Sequence, residues 1–519
     1  MRKLLLLAAA LAALSVASCS GGSPAHSDRA ATAAAPAEPP AQPAAATARP
    51  YAVLLVFDEF PGDSLLGKDG RIDAVRYPNF AALATDGTWF KNAFSIYDST
   101  TKAVPLILDG VRPRPGTTAD RRDHPHSIFD MFGRRGYRIV ASQEATAMCP
   151  RRWCPGAPIR RPAIIPNLNS GRPERFARWV RTIRAGRPTF WMKHALLPHM
   201  PYLFLPDGAR TRAKVPDLLP GMNSVPGFGD EFLTRHNEQR YLLQLRYSDR
   251  LLGTMIAGLK RAGIYDQTLI AVTADHGIAF QVGVQTRRSV SDSNVEELTP
   301  VPMILKAPGQ HQGRTSSTLV STVDLSPTIA DVLGYRLGYP HDGRSAFSRA
   351  IRRRHRVTLT TRDFSHVVSI SAGAWEARRR AVVRRRLRQF GWGDHGLYTG
   401  IGPNRQLIGQ APDALPHAGA SRLRARVAAG DALRDVRRAR GIVPTQIAGS
   451  LSGAPGRKRD IAVAVNGRIE AVGRTFFLAG DQTEHFAVNV PEAVLHDGRN
   501  QVEVYEVLGG RRLRLLARV

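Results

Sequence analysis

The chain has 519 residues, 43% of them hydrophobic, which is enough for two to four domains and a large core and excludes a disordered or fibrous polymer. Lys and Arg number 73 against 43 Asp and Glu, a formal charge of +30 carried mostly by arginine. A surface this basic suits an acidic partner, such as nucleic acid, anionic lipid or an acidic polymer. No DNA- or RNA-reading motif accompanies the charge, so nucleic acid is not the expected partner.

The N-terminus reads as an export signal. Met1-Arg2-Lys3 is followed by an apolar run from Leu4 to Val16, too short for an ordinary membrane span. It leads into Val16-Ala17-Ser18-Cys19, which resembles a bacterial lipobox. Residues 1–18 are then a signal peptide, Cys19 carries lipid, and the protein is tied to a membrane in the cell envelope. The alternative is an ordinary secreted protein cut near the same place. The chain has three cysteines. With Cys19 lipidated, Cys149 and Cys154 remain, and outside the cytoplasm such a close pair is expected as a disulfide. Residues 19–50 are rich in Ala and Pro without periodicity and read as a disordered tether.

Order begins at Tyr51. Residues 51–57 are continuously apolar, the mark of a strand buried on both faces of a parallel sheet, and end in Asp58-Glu59. A short helix is predicted over 78–87, closed by Gly87. Asp98-Ser99-Thr100-Thr101 then precedes the apolar run 103–108, which reads as a helix N-terminus, a setting that favours an anion. A helix over 127–134 and a strand over 137–141 follow. Residues 189–194 form another buried strand that leads into Leu197-Pro198-His199-Met200-Pro201. A long helix spans 237–262 up to Gly263, and a third buried strand over 268–273 ends in Ala274-Asp275-His276-Gly277. Alternating strands and helices predict an α/β sandwich around a mostly parallel sheet. Three strand ends deliver Asp58-Glu59, His199 and Asp275-His276 to the edge where open α/β sheets bind ligands. Carboxylates, an imidazole and a Thr oxygen together suit a divalent ion, Zn²⁺ or Mn²⁺ rather than Ca²⁺.

Five motifs carry a family resemblance. They are Tyr77-Pro78-Asn79-Phe80 through Ala93, Leu197 to Pro201, Ala274 to Gly277, Val301-Pro302-Met303-Ile304 with Ala307-Pro308-Gly309, and Val323-Asp324-Leu325-Ser326-Pro327-Thr328. In that order they resemble sulfatases of the alkaline phosphatase superfamily, from Tyr51 to about Gly334. The resemblance implies an alkaline-phosphatase/sulfatase-like sandwich over 51–410. It also implies that Asp58, Glu59, Thr100, Asp275 and His276 hold the metal, with His199 and Lys193 catalytic and Arg288 binding the anion. Arg287 and Arg288 otherwise read as surface charges. Sulfatases carry a Cys or Ser that becomes formylglycine; Thr100 occupies that position here, with Gly110 ten residues on. A Thr nucleophile resembles the phosphodiesterase and phosphoglycerol- or phosphoethanolamine-transferase branches. The expected activity is therefore hydrolysis or transfer of phosphate esters through Thr100. The alternatives are a sulfuric ester hydrolase, or a non-catalytic binder of an anionic envelope polymer.

The rest of the chain is read as follows. Residues 349–388 are Arg-dense, with a strand at 357–360 expected at the edge of the main sheet and a basic helix after it. Residues 411–441 read as a helical connector. From 442 to 519 short alternating runs, with Asn466-Gly467 as a hairpin turn, predict a small β-sandwich-like accessory domain.

Overall fold

Strand β1, Tyr51–Asp58, lies at the centre of a seven-stranded sheet and is buried along its whole length. The computed structural model describes residues 49–213, 229–284, 287–288, 290–394, 396–428, 430–453, 456–478 and 480–519. The expected signal peptide, Cys19 and the tether up to residue 48 lie outside the described residues.

The other strands are β2 (Thr88–Phe90), β3 (Arg138–Ser142), β4 (Thr189–Pro198), β5 (Thr268–Ala274), β6 (Met303–Lys306) and β7 (Arg314–Ser316). Their order across the sheet is β3-β4-β1-β5-β6-β2-β7. The first four are mutually parallel, and β6 runs antiparallel to both β5 and β2. This is the mixed α/β sheet expected from the alternation of apolar runs and helical segments. Strands buried on both faces explain why 51–57, 189–192 and 268–272 are unbroken in apolar character. Helices α1 (Pro78–Asp86), α2 (Thr100–Asp109) and α3 (Ile128–Arg134) and the long helix Glu231–Arg261 flank the sheet. Helix α2 follows its N-cap Ser99 and is closed by Gly110, whose φ of 70° lets its N–H reach Leu106 O at 2.9 Å. That positive φ is the physical reason for a glycine at this position. Cys149 and Cys154 are joined in a disulfide.

Two sequence expectations give way here. The strand Arg356–Thr360 (β8) pairs with Val367–Ser371 (β9) in a separate two-stranded hairpin, with one bridge from Thr360 to Tyr97, and does not join the main sheet. The basic helix Ala372–Phe390 does follow it. The stretch 411–441 is not a helical connector. Its longest helix is five residues, Gly430–Arg434, and Arg424–Val427 is a strand paired with Gln446–Ser452. Its Ala- and Arg-rich composition favours helix, but cross-strand pairing overrides that weak preference. The C-terminal β-structure thus begins before residue 442. It consists of two four-stranded antiparallel sheets. In the second, Asn466-Gly467 makes the predicted turn, with φ of 51° and 83° between Val465 and its partner Arg468.

Candidate active site and metal centre

Because β4, β1 and β5 are adjacent and parallel, their carboxyl ends lie side by side. Asp58 closes β1, Asp275-His276 follow β5, and His199 follows β4. Backbone bonds join the two central ends: Asp275 N donates to Phe57 O (3.0 Å) and Phe60 N to His276 O (2.8 Å). Asp275 Oδ1 accepts from the backbone N–H of Glu59 (3.1 Å) and of His276 (2.6 Å). Glu59 has a φ of 58°, left-handed backbone that a residue with a Cβ rarely adopts, and such strain clusters at functional sites.

Thr100 is the first residue of α2 and is buried, with its Oγ1 3.5 Å from Asp58 Oδ1. Asp58, Asp275 and His276 each turn a ligand atom to a common point, all within 4.8 Å of one another. Among the described residues, Asp58 Oδ2, Asp275 Oδ2 and His276 Nε2 are buried without a hydrogen-bond partner. His276 Nδ1 lies 2.9 Å from Gly277 O, which assigns the ring proton to Nδ1 and leaves the Nε2 lone pair open. Burial, together with the charges of Asp275 and Glu59, raises the Asp58 carboxyl well above its usual range. Two carboxylates and an imidazole lone pair converging in a dry site fit a divalent cation in donor type and number.

A second group, Asp58, Glu59 and His199, is equally close-set. There a guanidinium supplies the positive charge. Arg287 Nε donates to both Glu59 oxygens, at 3.1 and 3.0 Å, and its Nη2 lies 2.8 Å from Oε1. Arg288 Nε adds a longer contact to Oε1 at 3.4 Å. Burial opposes ionisation of Glu59, but Arg287, His199 and Arg288 outweigh it and hold the carboxyl below its usual range. Glu59, expected as a metal ligand, is therefore engaged by arginine.

His199 Nδ1 lies 2.6 Å from Met200 O, and Arg287 Nη2 is 3.2 Å from its Nε2. This assigns the proton to Nδ1 and makes Nε2 an acceptor. Burial first, and the neighbouring arginines, push its pKa down to about 3. The ring is neutral and holds Arg287, which is not the arrangement of an acid ready to donate from Nε2. Lys193 is further from the expected role. It is fully buried, ion-paired with Glu144, and donates to Ser142 Oγ at 3.0 Å. Glu144 in turn takes Arg175 Nη2 at 2.7 Å. Lys193 faces the β3 side, away from the carboxylates.

Two neighbours were not anticipated. His194, beside Val56 in the register of β1 and β4, brings Nε2 to 3.8 Å from Asp58 Oδ2. Both its ring nitrogens are buried without a hydrogen-bond partner among the described residues, and burial pushes its pKa down to about 4. Asp98 is also buried with Oδ1 unpartnered. A His inside an otherwise apolar strand was the available signal for the first; nothing in the sequence distinguished the second from a turn residue.

The sulfatase family model matches residues 50–335. Arylsulfatase K of Bos taurus is 30% identical over 97 residues, 19% of this chain and 17% of that protein. Arylsulfatase K of Homo sapiens is 28% identical over 120 residues, 22% of each chain. The matched segment thus spans about a fifth of the length of these curated relatives. Among solved structures, the phosphonate monoester hydrolase of Agrobacterium radiobacter is 18% identical, with a TM-score of 0.47, covering 64% of this chain and 83% of that one. A putative sulfatase from Bacteroides fragilis is 18% identical, with a TM-score of 0.48, covering 66% and 92%.

Proposed function

The chain belongs to the sulfatase family, and from that premise we propose that it is an exported, metal-dependent enzyme that hydrolyses or transfers phosphate esters through Thr100. The observation that carries this reading is the position of Thr100. Its hydroxyl starts α2 at the mouth of the carboxylate cluster, 3.5 Å from Asp58. The lipobox-like Val16-Ala17-Ser18-Cys19 supports export and a lipid anchor at Cys19, and the charge of +30 suits an anionic envelope substrate.

Asp58, Asp275 and His276 would hold a divalent ion, Zn²⁺ or Mn²⁺, which would supply Lewis-acid neutralisation of charge on the phosphoryl oxygens. Thr100 Oγ1 loses its proton to solvent and attacks phosphorus, an Oγ–P bond forms, the P–O bond to the leaving group breaks, and the departing alkoxide takes a proton from water. The N–H groups at the start of α2 face the added negative charge. Arg287 and Arg288 place two guanidinium groups against Glu59, next to Asp58, and His199 holds Arg287 through its Nε2. Water or an acceptor alcohol then displaces Thr100 by in-line attack.

Thr100 also favours phosphate over sulfate. A formylglycine hydrate has a second hydroxyl with which to expel sulfate from its covalent intermediate. Thr has one hydroxyl, so its ester must be broken by an external nucleophile, which phosphorus accepts. The test compares p-nitrophenyl phosphate, bis(p-nitrophenyl) phosphate and p-nitrophenyl sulfate. Turnover of a phosphate substrate should exceed that of the sulfate, and Thr100→Ala should remove at least about three orders of magnitude in kcat while metal content is unchanged. Near-full activity in Thr100→Ala, or faster sulfate turnover, rejects the reading.

A further inference from the structure

A crevice of about 770 Å³ opens between the long helix Glu231–Arg261 and the first C-terminal sheet. None of Asp58, Thr100, Asp275 or His276 lines it. Among the described residues, two of its arginines, Arg212 and Arg240, have no carboxylate partner. Arg240, from the long helix, is 5% exposed and donates to Tyr202 O (2.9 Å) and, more weakly, to Asn237 Oδ1 (3.4 Å). Arg212 bonds the amide oxygen of Gln446. The Nε of each is buried and without a partner among the described residues. Arg426, exposed, forms no ion pair among the described residues. The single lining carboxylate, Asp431, is 98% exposed and paired with Arg434 at 2.8 Å. His236 adds no charge, since burial and the two arginines push its ring far toward the neutral form.

Buried charges are ordinarily paired, because leaving a guanidinium in a low-dielectric site without a counter-charge is costly. Here Arg240 is buried and Arg212 half-buried, and neither has a counter-charge among the described residues. Burial pushes the Arg240 pKa down to about 9, and Arg212 contributes. The crevice is also lined by the apolar side chains of Leu233, Phe476 and Phe486. Small-ligand sites combine an apolar lining with a few convergent polar groups in this way.

We propose that this crevice is a second, non-catalytic site for a small organic anion, its phosphate or carboxylate held by Arg212 and Arg240 and its ring or apolar body against Phe476 and Phe486. The inference is independent of which ester the catalytic site cleaves. It assigns to the C-terminal β-domain a share in ligand binding rather than a purely structural role.

Calorimetric titration of phenyl phosphate into the full chain carrying Thr100→Ala and Asp275→Asn tests it, with turnover removed and the catalytic centre impaired. One binding event is expected, weakened by added salt and tighter than that of inorganic phosphate. Arg240→Met should weaken it at least about tenfold without lowering the melting temperature, because it removes an unpaired buried charge. Arg426→Ala, at an exposed position, should weaken it several-fold in a fold that it cannot disturb, and decides the matter if Arg240→Met does not fold. Unchanged affinity in Arg426→Ala, absence of binding at millimolar ligand, or equal affinity for phenyl and inorganic phosphate overturns the assignment.

Discussion

Replacing Arg287 by Met isolates the charge balance on which the site rests. Glu59 is fully buried, the Arg287 side chain is 10% exposed, and the guanidinium reaches both carboxylate oxygens within 3.1 Å. Breaking a buried pair from one side costs about 3–5 kcal/mol, since the remaining charge is stranded. Arg288 at 3.4 Å remains, so the lower end applies. With unfolding entropy of roughly 1 kcal/mol/K for a chain of this size, the melting temperature should fall by about 3 °C at pH 7. The pH dependence follows from linkage. In the wild type the Glu59 carboxyl is held below its unfolded value, so its contribution is present above about pH 4.3 and is lost only as the pH falls through the lower folded value. Without Arg287 the sign reverses: burial raises the folded value, and the destabilisation grows as the pH rises above about 4.3. The gap between variant and wild type should therefore narrow from pH 7 toward pH 4, measured by calorimetry with metal at saturation. Arg287→Met with Glu59→Gln should recover most of the loss at pH 7. Equal melting temperatures, a loss independent of pH, or a double variant no better than the single one refutes the argument.

Two further outcomes are expected. Lys193→Met leaves Glu144 paired with Arg175, so it should lower stability modestly and leave kcat within about threefold of wild type; a loss beyond about 100-fold returns Lys193 to the chemistry. Replacing Cys149 and Cys154 by Ser opens a loop of sequence separation 5, for which the chain-entropy model gives about 2 kcal/mol. Denaturant unfolding with and without reductant checks it, and an unchanged midpoint in the double variant contradicts it.

What was legible in the sequence follows from period and position. A strand buried on both faces writes itself as an unbroken apolar run, so β1, β4 and β5 could be located, and the residues that end each run could be collected on one edge of the sheet. The first residues of α2 were legible for the same reason, from a polar cluster before an apolar run and a glycine at the far end. Side-chain pairing has no such signature. Nothing local distinguishes Arg287, which holds Glu59, from Arg288 beside it, because the distinction is made by a contact 228 residues away in sequence. Lys193 and His194 are neighbours on one strand, and alternation sends one to Glu144 and the other to Asp58. The expectation fell on Lys193 because its charge looked useful; the strand's pleat gives His194 the position near the carboxylates. The misread segment 411–441 has the converse origin. Its composition favours helix, whereas the partner that makes Arg424–Val427 a strand is Gln446–Ser452, and Gln446–Ser452 is held in turn by Glu484–Asn489. Local propensity is worth a few tenths of a kcal/mol per residue, less than the cross-strand contacts it competes with. The same long-range pairing builds one wall of the arginine crevice, which is why no stretch of sequence announced it.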